Sequence, residues 1–165
     1  MLLCGLPGAG KTTLARQLEA ALPAVRLCAD DWMTALAVDL YDADRRARLE
    51  ATFWSHARRL LELGTSVVLE NGFWHRAERD EKLAFGRSIG ASVELRFLDV
   101  PLDERWRRVD ARNRAGAVDS VVIPYELLAS WDALFERPTA DELACYDPPA
   151  GLGSTTTSTD PRSTS

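Results

Sequence analysis

Short apolar runs alternate with stretches of helical periodicity along this chain. Leu2, Leu3 and Cys4 lead straight into Gly5-Leu6-Pro7-Gly8-Ala9-Gly10-Lys11-Thr12, after which Leu14, Leu18 and Leu22 recur four apart on one helical face. Further strands are predicted at AVRLCAD (24–30), TSVVLE (65–70) and SVELRFLDV (92–100). Gly64 and Gly72 bound the third strand, and Pro101 closes the fourth. Between the second and third, Leu49, Phe53, Ala57 and Leu60 mark a long helix, with Gly64 as its C-terminal cap. Residues 76–88 predict another helix, and 102–117 a further one with Gly116 near its end. Leu127, Leu128, Trp131, Leu134 and Phe135 then form an amphipathic stripe, with Pro124 suited to the first turn.

Strands alternating with helices predict an α/β fold: a parallel sheet in the order 2-3-1-4 with helices on both faces. Ligands in such sheets sit at the carboxyl ends of the strands, so polar residues there are the candidates for chemistry. The expected domain is 1–147. Residues 148–165 (PPAGLGSTTTSTDPRSTS) have almost no apolar content and are expected to be a disordered tail. No internal repeat is evident. The first strand opens at Met1 with barely four residues, which suggests a late start, and no fifth strand is predicted after Pro138.

Composition changes this picture little. An apolar share of 46% and a charged share of 27% describe an ordinary globular domain. No apolar stretch approaches the roughly 20 residues that span a bilayer, and no signal-peptide pattern opens the chain, so a cytoplasmic location and no membrane partner are expected. Cys4, Cys28 and Cys145 lack CxxC spacing, and buried free thiols are expected for the two in or beside apolar runs. A net charge of −5 argues against a broad nucleic-acid groove. Arg105, Arg107, Arg108, Arg112 and Arg114 nevertheless make a local cluster.

Residues 5–12 fit G-x-x-x-x-G-K-[ST] between a strand and a helix. Small residues let successive backbone N–H groups turn around an anion, and the helix that follows aims its positive end there. Gly5, Pro7, Gly8, Ala9, Gly10, Lys11, Thr12 and Thr13 are therefore candidate ATP contacts. Lys11 reaches the outer phosphates, Thr12 offers its hydroxyl to Mg²⁺, and Thr13 touches the α-phosphate. The motif specifies a bound triphosphate and is silent on the reaction.

Asp30 and Asp31 close the second strand and precede WMTAL. Asp30 suits a general base that takes a proton from an attacking hydroxyl; helix capping is the other reading, and fits Asp31 best. Glu70, at the end of the third strand, is either a magnesium-organising acid or a cap. Asp99 is expected to serve the turn before Pro101. Arg105, Arg108 and Arg112 share one helical side, where a lid over the phosphates or a solvated face paired with Glu104 and Asp110 would place them.

GLPGAGKTT, ADDW, VVLENGFW followed by AERD, LDVPLDERWRRVDARN and IPYELL, in this order, resemble the small P-loop kinases grouped with phage-type polynucleotide 5′-kinases. The wider, AAA-type set includes chloramphenicol phosphotransferase and zeta-toxin-like kinases. The resemblance covers about residues 1–136. It implies ATP and Mg²⁺ as cofactors, Lys11 and Thr12 as phosphate and metal contacts, Asp30 as general base, and Arg108 and Arg112 as lid arginines. It also implies transfer of the γ-phosphate to a hydroxyl. The chain departs from the family at Met33, where polynucleotide kinases carry an acceptor-site arginine, and at Glu70, where aspartate is common. Arg76 and Arg79 are alternative anion contacts, and Trp32 and Trp74 are pocket or, on packing grounds, core residues. The expected acceptor is a small molecule rather than a polynucleotide. A nucleotide-binding module or slow ATPase with no acceptor, and a polynucleotide 5′-hydroxyl kinase, remain as alternatives.

Overall fold

The computed structural model describes residues 1–116 and 121–149. Among them four parallel strands, β1 (Leu2–Cys4), β2 (Ala24–Leu27), β3 (Ser66–Gly72) and β4 (Leu95–Phe97), lie in the order β2-β3-β1-β4. The helices are α1 (Lys11–Ala21), α2 (Ala29–Ala35), α3 (Ala43–Glu62), α4 (Arg76–Ser88), α5 (Leu102–Ala115), α6 (Tyr125–Leu134) and α7 (Ala140–Leu143). The expected sheet order is the one observed. Residues 150–165, most of the expected tail, lie outside the described residues.

Strand alternation divides the core. Leu3 and Val68 point to α1, where they meet Ala15 and Leu18; all four are at most 0% exposed. Leu2, Cys4, Val67 and Leu69 point the other way and pack on Phe53 and Ala57 of α3. Val109, Ile123 and Leu128 form a separate small core joining α5 to α6. Among the described residues no helix is long and apolar enough to cross a membrane.

Several local expectations need correction. β2 stops at Leu27 and Cys28 is the N-cap of α2, so Asp30 and Asp31 lie in the first turn of a helix rather than closing a strand. Asp31 is no cap; its carboxylate is held by Arg26 instead. β4 is short because Val93 is engaged elsewhere: its N–H donates to Asp147 Oδ2 (2.6 Å), and its carbonyl accepts from the Asp147 N–H (2.9 Å). The segment after α7 thus covers the approach to β4 where a fifth strand would add. Asp99 caps nothing; it is exposed and pairs with Arg137 (3.6 Å), while Pro101 holds the N-cap of α5. Trp32 is half exposed, resting edge-on against Phe53, and is not a core residue.

Arg79 is fully buried and supplies no anion contact. Its Nε and Nη2 donate to both oxygens of Glu142 (2.6 and 3.0 Å), and its Nη1 donates to the Phe73 carbonyl (2.9 Å). This pair ties the C-terminal helix to the end of β3. Cys4 and Cys28 are buried as expected, and Cys145 is exposed. Burial pushes both buried thiols up to about 12, which keeps them protonated and unreactive.

Gly86 shows how tightly α4 sits on the sheet edge. A Cβ there would lie 2.3 Å from Cγ2 of buried Val93, a stiff β-branched side chain. Gly86→Ala gains up to about 1 kcal/mol of helix propensity, whereas overpacking costs about 1–3 kcal/mol. The overlap is severe, so the variant is expected to be the less stable, with a lower urea midpoint at unchanged slope. A higher midpoint would show that α4 has room to move.

Candidate active site

The loop between β1 and α1 is shaped by three glycines in the left-handed or mirror-extended region: Gly5 (φ 147°), Gly8 (φ 81°) and Gly10 (φ 101°). Gly8 is required twice over, because a Cβ there would lie 2.8 Å from the Arg105 carbonyl. Helix α5 therefore lies directly on the loop. Gly10 is the N-cap of α1, no side chain caps that helix, and its first turn holds no acid. The free N–H groups and the positive helix end are left for an outside anion. Ala9 is buried within the loop, its N–H closing a turn on Leu6, while Thr13 is exposed at the start of α1.

Lys11 folds back so that Nζ donates to the Leu6 carbonyl (3.2 Å). Burial lowers its ammonium pKa, and the carboxylates of Glu70 and Asp30 oppose that shift. A partly buried cation with no ion-pair partner among the described residues is a strong electrostatic claim on an anion.

Thr12 donates its hydroxyl hydrogen to Glu70 Oε1, and the residue itself is exposed. The other carboxylate oxygen, Oε2, accepts from Arg26 Nε (2.9 Å), and Arg26 Nη1 goes on to Asp31 Oδ2 (2.6 Å). Strand register explains the arrangement: Arg26 pairs with Val68, so Glu70, two residues on, shares its face of the sheet. A hydroxyl and a carboxylate side by side are hard oxygen donors of the kind Mg²⁺ takes.

Arg108 is at the loop, Nη1 donating to the carbonyls of Gly8 (3.2 Å) and Ala9 (3.4 Å) and Nε to Glu104 (2.9 Å). Its neighbour one turn on, Arg112, has a buried Nε without a hydrogen-bond partner among the described residues. Arg105 departs from the expected row. It is buried, bound to the Val100 carbonyl (2.9 Å) and to Asp132 of α6, and so anchors the helix that presents the other two. Asp110 pairs with Arg114 rather than with the lid arginines.

On the other side of the cleft, Asp30 is more than half exposed, and its Oδ1 accepts from Arg46 Nη1 of α3 (2.6 Å). Met33 is buried and lines an open cavity of about 280 Å³ with Leu36, Val38 and Leu49. Gly72 (φ 84°) and Phe73 (φ 50°) bend the chain sharply after Glu70 and Asn71; Arg79 on the Phe73 carbonyl offsets the strain. Sequence reasoning missed Arg26 and Arg46. A charge inside the apolar run AVRL was a usable signal for the first; nothing singled out Arg46 among its neighbouring arginines.

Loop, flanking strand and arginine-bearing helix together define a P-loop α/β protein. A family described as an AAA domain matches residues 1–138, and the chain belongs to that family. Among curated proteins none matches. Several solved structures share the fold. A chain of the Pnkp1/Rnl/Hen1 RNA repair complex matches with a TM-score of 0.66 at 20% identity, over 94% of this chain and 49% of that one. The protein thus spans about half the length of that relative. Chaetomium thermophilum Kti12 in complex with ADP-AlF3 matches at 0.61 and 18% identity, over 84% and 80% of the two chains. A gluconokinase from Sinorhizobium meliloti 1021 matches at 0.58 and 18%, over 85% and 76%.

The buried Glu70 carboxylate yields a prediction. Arg26→Met strands that charge and is expected to cost about 3–5 kcal/mol, whereas Arg26→Met combined with Glu70→Leu recovers most of the loss. Denaturant unfolding of the wild type, both single variants and the double variant measures the coupling; additive losses would show that the two side chains do not support each other.

Proposed function

We propose that this protein is a kinase that binds ATP·Mg²⁺ on residues 5–13 and transfers the γ-phosphate to a hydroxyl of a small-molecule acceptor. The observation that carries the proposal is the convergence of an uncapped helix terminus, a desolvated Lys11 and the Arg108 guanidinium on one loop. Thr12 and Glu70 would hold the metal, which when bound offsets phosphate charge and helps hold the outer phosphates in line. Lys11 and the loop N–H groups bind the phosphates. Arg108 and Arg112 lie on α5, which rests on the loop, and they stabilise the charge on the transferred group and help exclude water. Asp30 takes the proton from the acceptor hydroxyl as its oxygen bonds to the γ-phosphorus and the bond to ADP breaks.

Buried Met33 supports a small acceptor over a polynucleotide, since no arginine lines the cleft at that position. A nucleotide-binding module without an acceptor is the second reading, favoured by the hold of Arg46 on Asp30.

One variant tests the loop and a second separates the readings. Lys11→Ala is expected to weaken ATP binding by tenfold or more in a fluorescence titration; unchanged affinity would overturn the assignment of the loop. Asp30→Asn is expected to retain ATP binding while losing acceptor-dependent ADP release by about 10²–10⁴-fold. Full turnover in that variant would remove Asp30 as the base.

A further inference from the structure

Asp30 and Met33 stand three residues apart on α2, which makes their side chains neighbours, about 5–6 Å apart at Cβ. Asp30 is exposed, whereas Met33 is buried and lines the open cavity of about 280 Å³. Helix α3 repeats the adjacency. Arg45, Arg48, Leu49 and Thr52 line the cavity along one helical face, while Arg46, next to Arg45, holds Asp30 Oδ1 (2.6 Å). The turn after α2 supplies the third wall. Ala37 is left-handed (φ 53°) and the Val38 N–H returns to the Met33 carbonyl (2.8 Å), so Leu36 and Val38 flank the bend and both line the cavity. The proposed base thus stands at the rim of a preformed recess.

Four of the seven lining residues are apolar, and Leu36 is 61% exposed. Apolar surface left open to water favours an apolar guest. A cavity of about 150 Å³ takes benzene, so this recess suits a body of roughly ten heavy atoms. Its polar border is cationic. Arg45 is committed to Asp42 (3.3 Å), and Arg46 to Asp30 and the Leu40 carbonyl (3.1 Å). Arg48 is exposed and has no ion-pair partner among the described residues, Asp44 one turn earlier included. One free guanidinium matches one carboxylate, two N–H donors to two oxygens. A dianion such as a phosphate monoester would set its second charge against Asp30 and Asp42.

Resting on the kinase reading above, we infer that the acceptor is a monoanionic hydroxy acid with an apolar body. The body fills the Met33 cavity, the carboxylate lies on Arg48 and the hydroxyl meets Asp30. The hydroxyl oxygen bonds to the γ-phosphorus as its proton passes to Asp30 and the bond to ADP breaks, which leaves a phosphate monoester of the acid. Arg48 and the cavity act on the end of the acceptor that does not react, so their loss reads out in KM.

The test is acceptor-stimulated ADP release by the full chain with ATP and Mg²⁺. Three apolar hydroxy acids are used: 4-(hydroxymethyl)benzoate, 3-phenyllactate and 8-hydroxyoctanoate. Their neutral counterparts are 1,4-benzenedimethanol, 3-phenylpropane-1,2-diol and octane-1,8-diol, and glycolate and glycerate serve as acids without an apolar body. At least one apolar acid is expected to be turned over, with a KM about tenfold or more below its neutral counterpart and below the polar acids. Arg48→Met, which keeps an apolar stem, is expected to raise that KM about tenfold or more and to hold the neutral counterpart's KM within about twofold. Structural damage would move both members of the pair. Leu36→Ser, at an exposed position, is expected to raise KM about threefold or more for acid and neutral counterpart alike. Equal KM for acid and counterpart, or an acid KM unmoved by Arg48→Met, overturns the inference. If a neutral alcohol or a polar acid is preferred and Asp30→Asn abolishes its phosphorylation, the kinase reading stands and only the acceptor class falls. If no member stimulates ADP release while ATP binds in titration, the acceptor class falls; if ATP itself fails to bind, the kinase reading falls with it.

Discussion

The buried carboxylate of Glu70 organises the phosphate end of this molecule. It accepts from Thr12 at the start of α1 and from Arg26 on β2, and Arg26 continues to Asp31 on α2. A lone carboxylate with its side chain only 4% exposed would be untenable. With two donors on two oxygens it becomes a fixed point that orients the loop helix, two strands and the helix bearing Asp30. The fork of the guanidinium matters because one side chain must serve two carboxylates from different nitrogens, a task a lysine point charge does poorly.

A second constraint sits on the opposite side of the loop. Gly8 lets α5 approach so closely that a methyl group would collide with the Arg105 backbone. Arg105 itself turns inward to Asp132 and binds α5 to α6, reinforced by Val109 against Leu128. Arg108, one turn on, reaches the Gly8 carbonyl instead. A row of arginines at helical spacing thus holds at least one anchor, Arg105, and one loop-facing cation, Arg108.

The parts legible in the sequence were those governed by local rules. The glycine loop, the order of strands and helices and the helix at 76–88 follow from spacing and turn chemistry. The misses share a cause. Asp31 looks like a cap in one dimension, yet the helix starts earlier and a strand residue, Arg26, takes its carboxylate. Arg79 looks like a free surface cation, yet Glu142 lies 63 positions away in sequence and only folding brings the two together. Trp32 looks like core because tryptophan usually is, yet α2 is too short to bury both it and Met33. Long-range ion pairs and the faces of short helices carry no periodic signal.

Charge distribution in the cleft says more than the net value of −5. Lys11 and Arg108 lie at the loop, and among the described residues neither is closed off by a bidentate carboxylate partner. Asp30, held by Arg46 of α3, also acts on Lys11, so the loop cation and this carboxylate share one field.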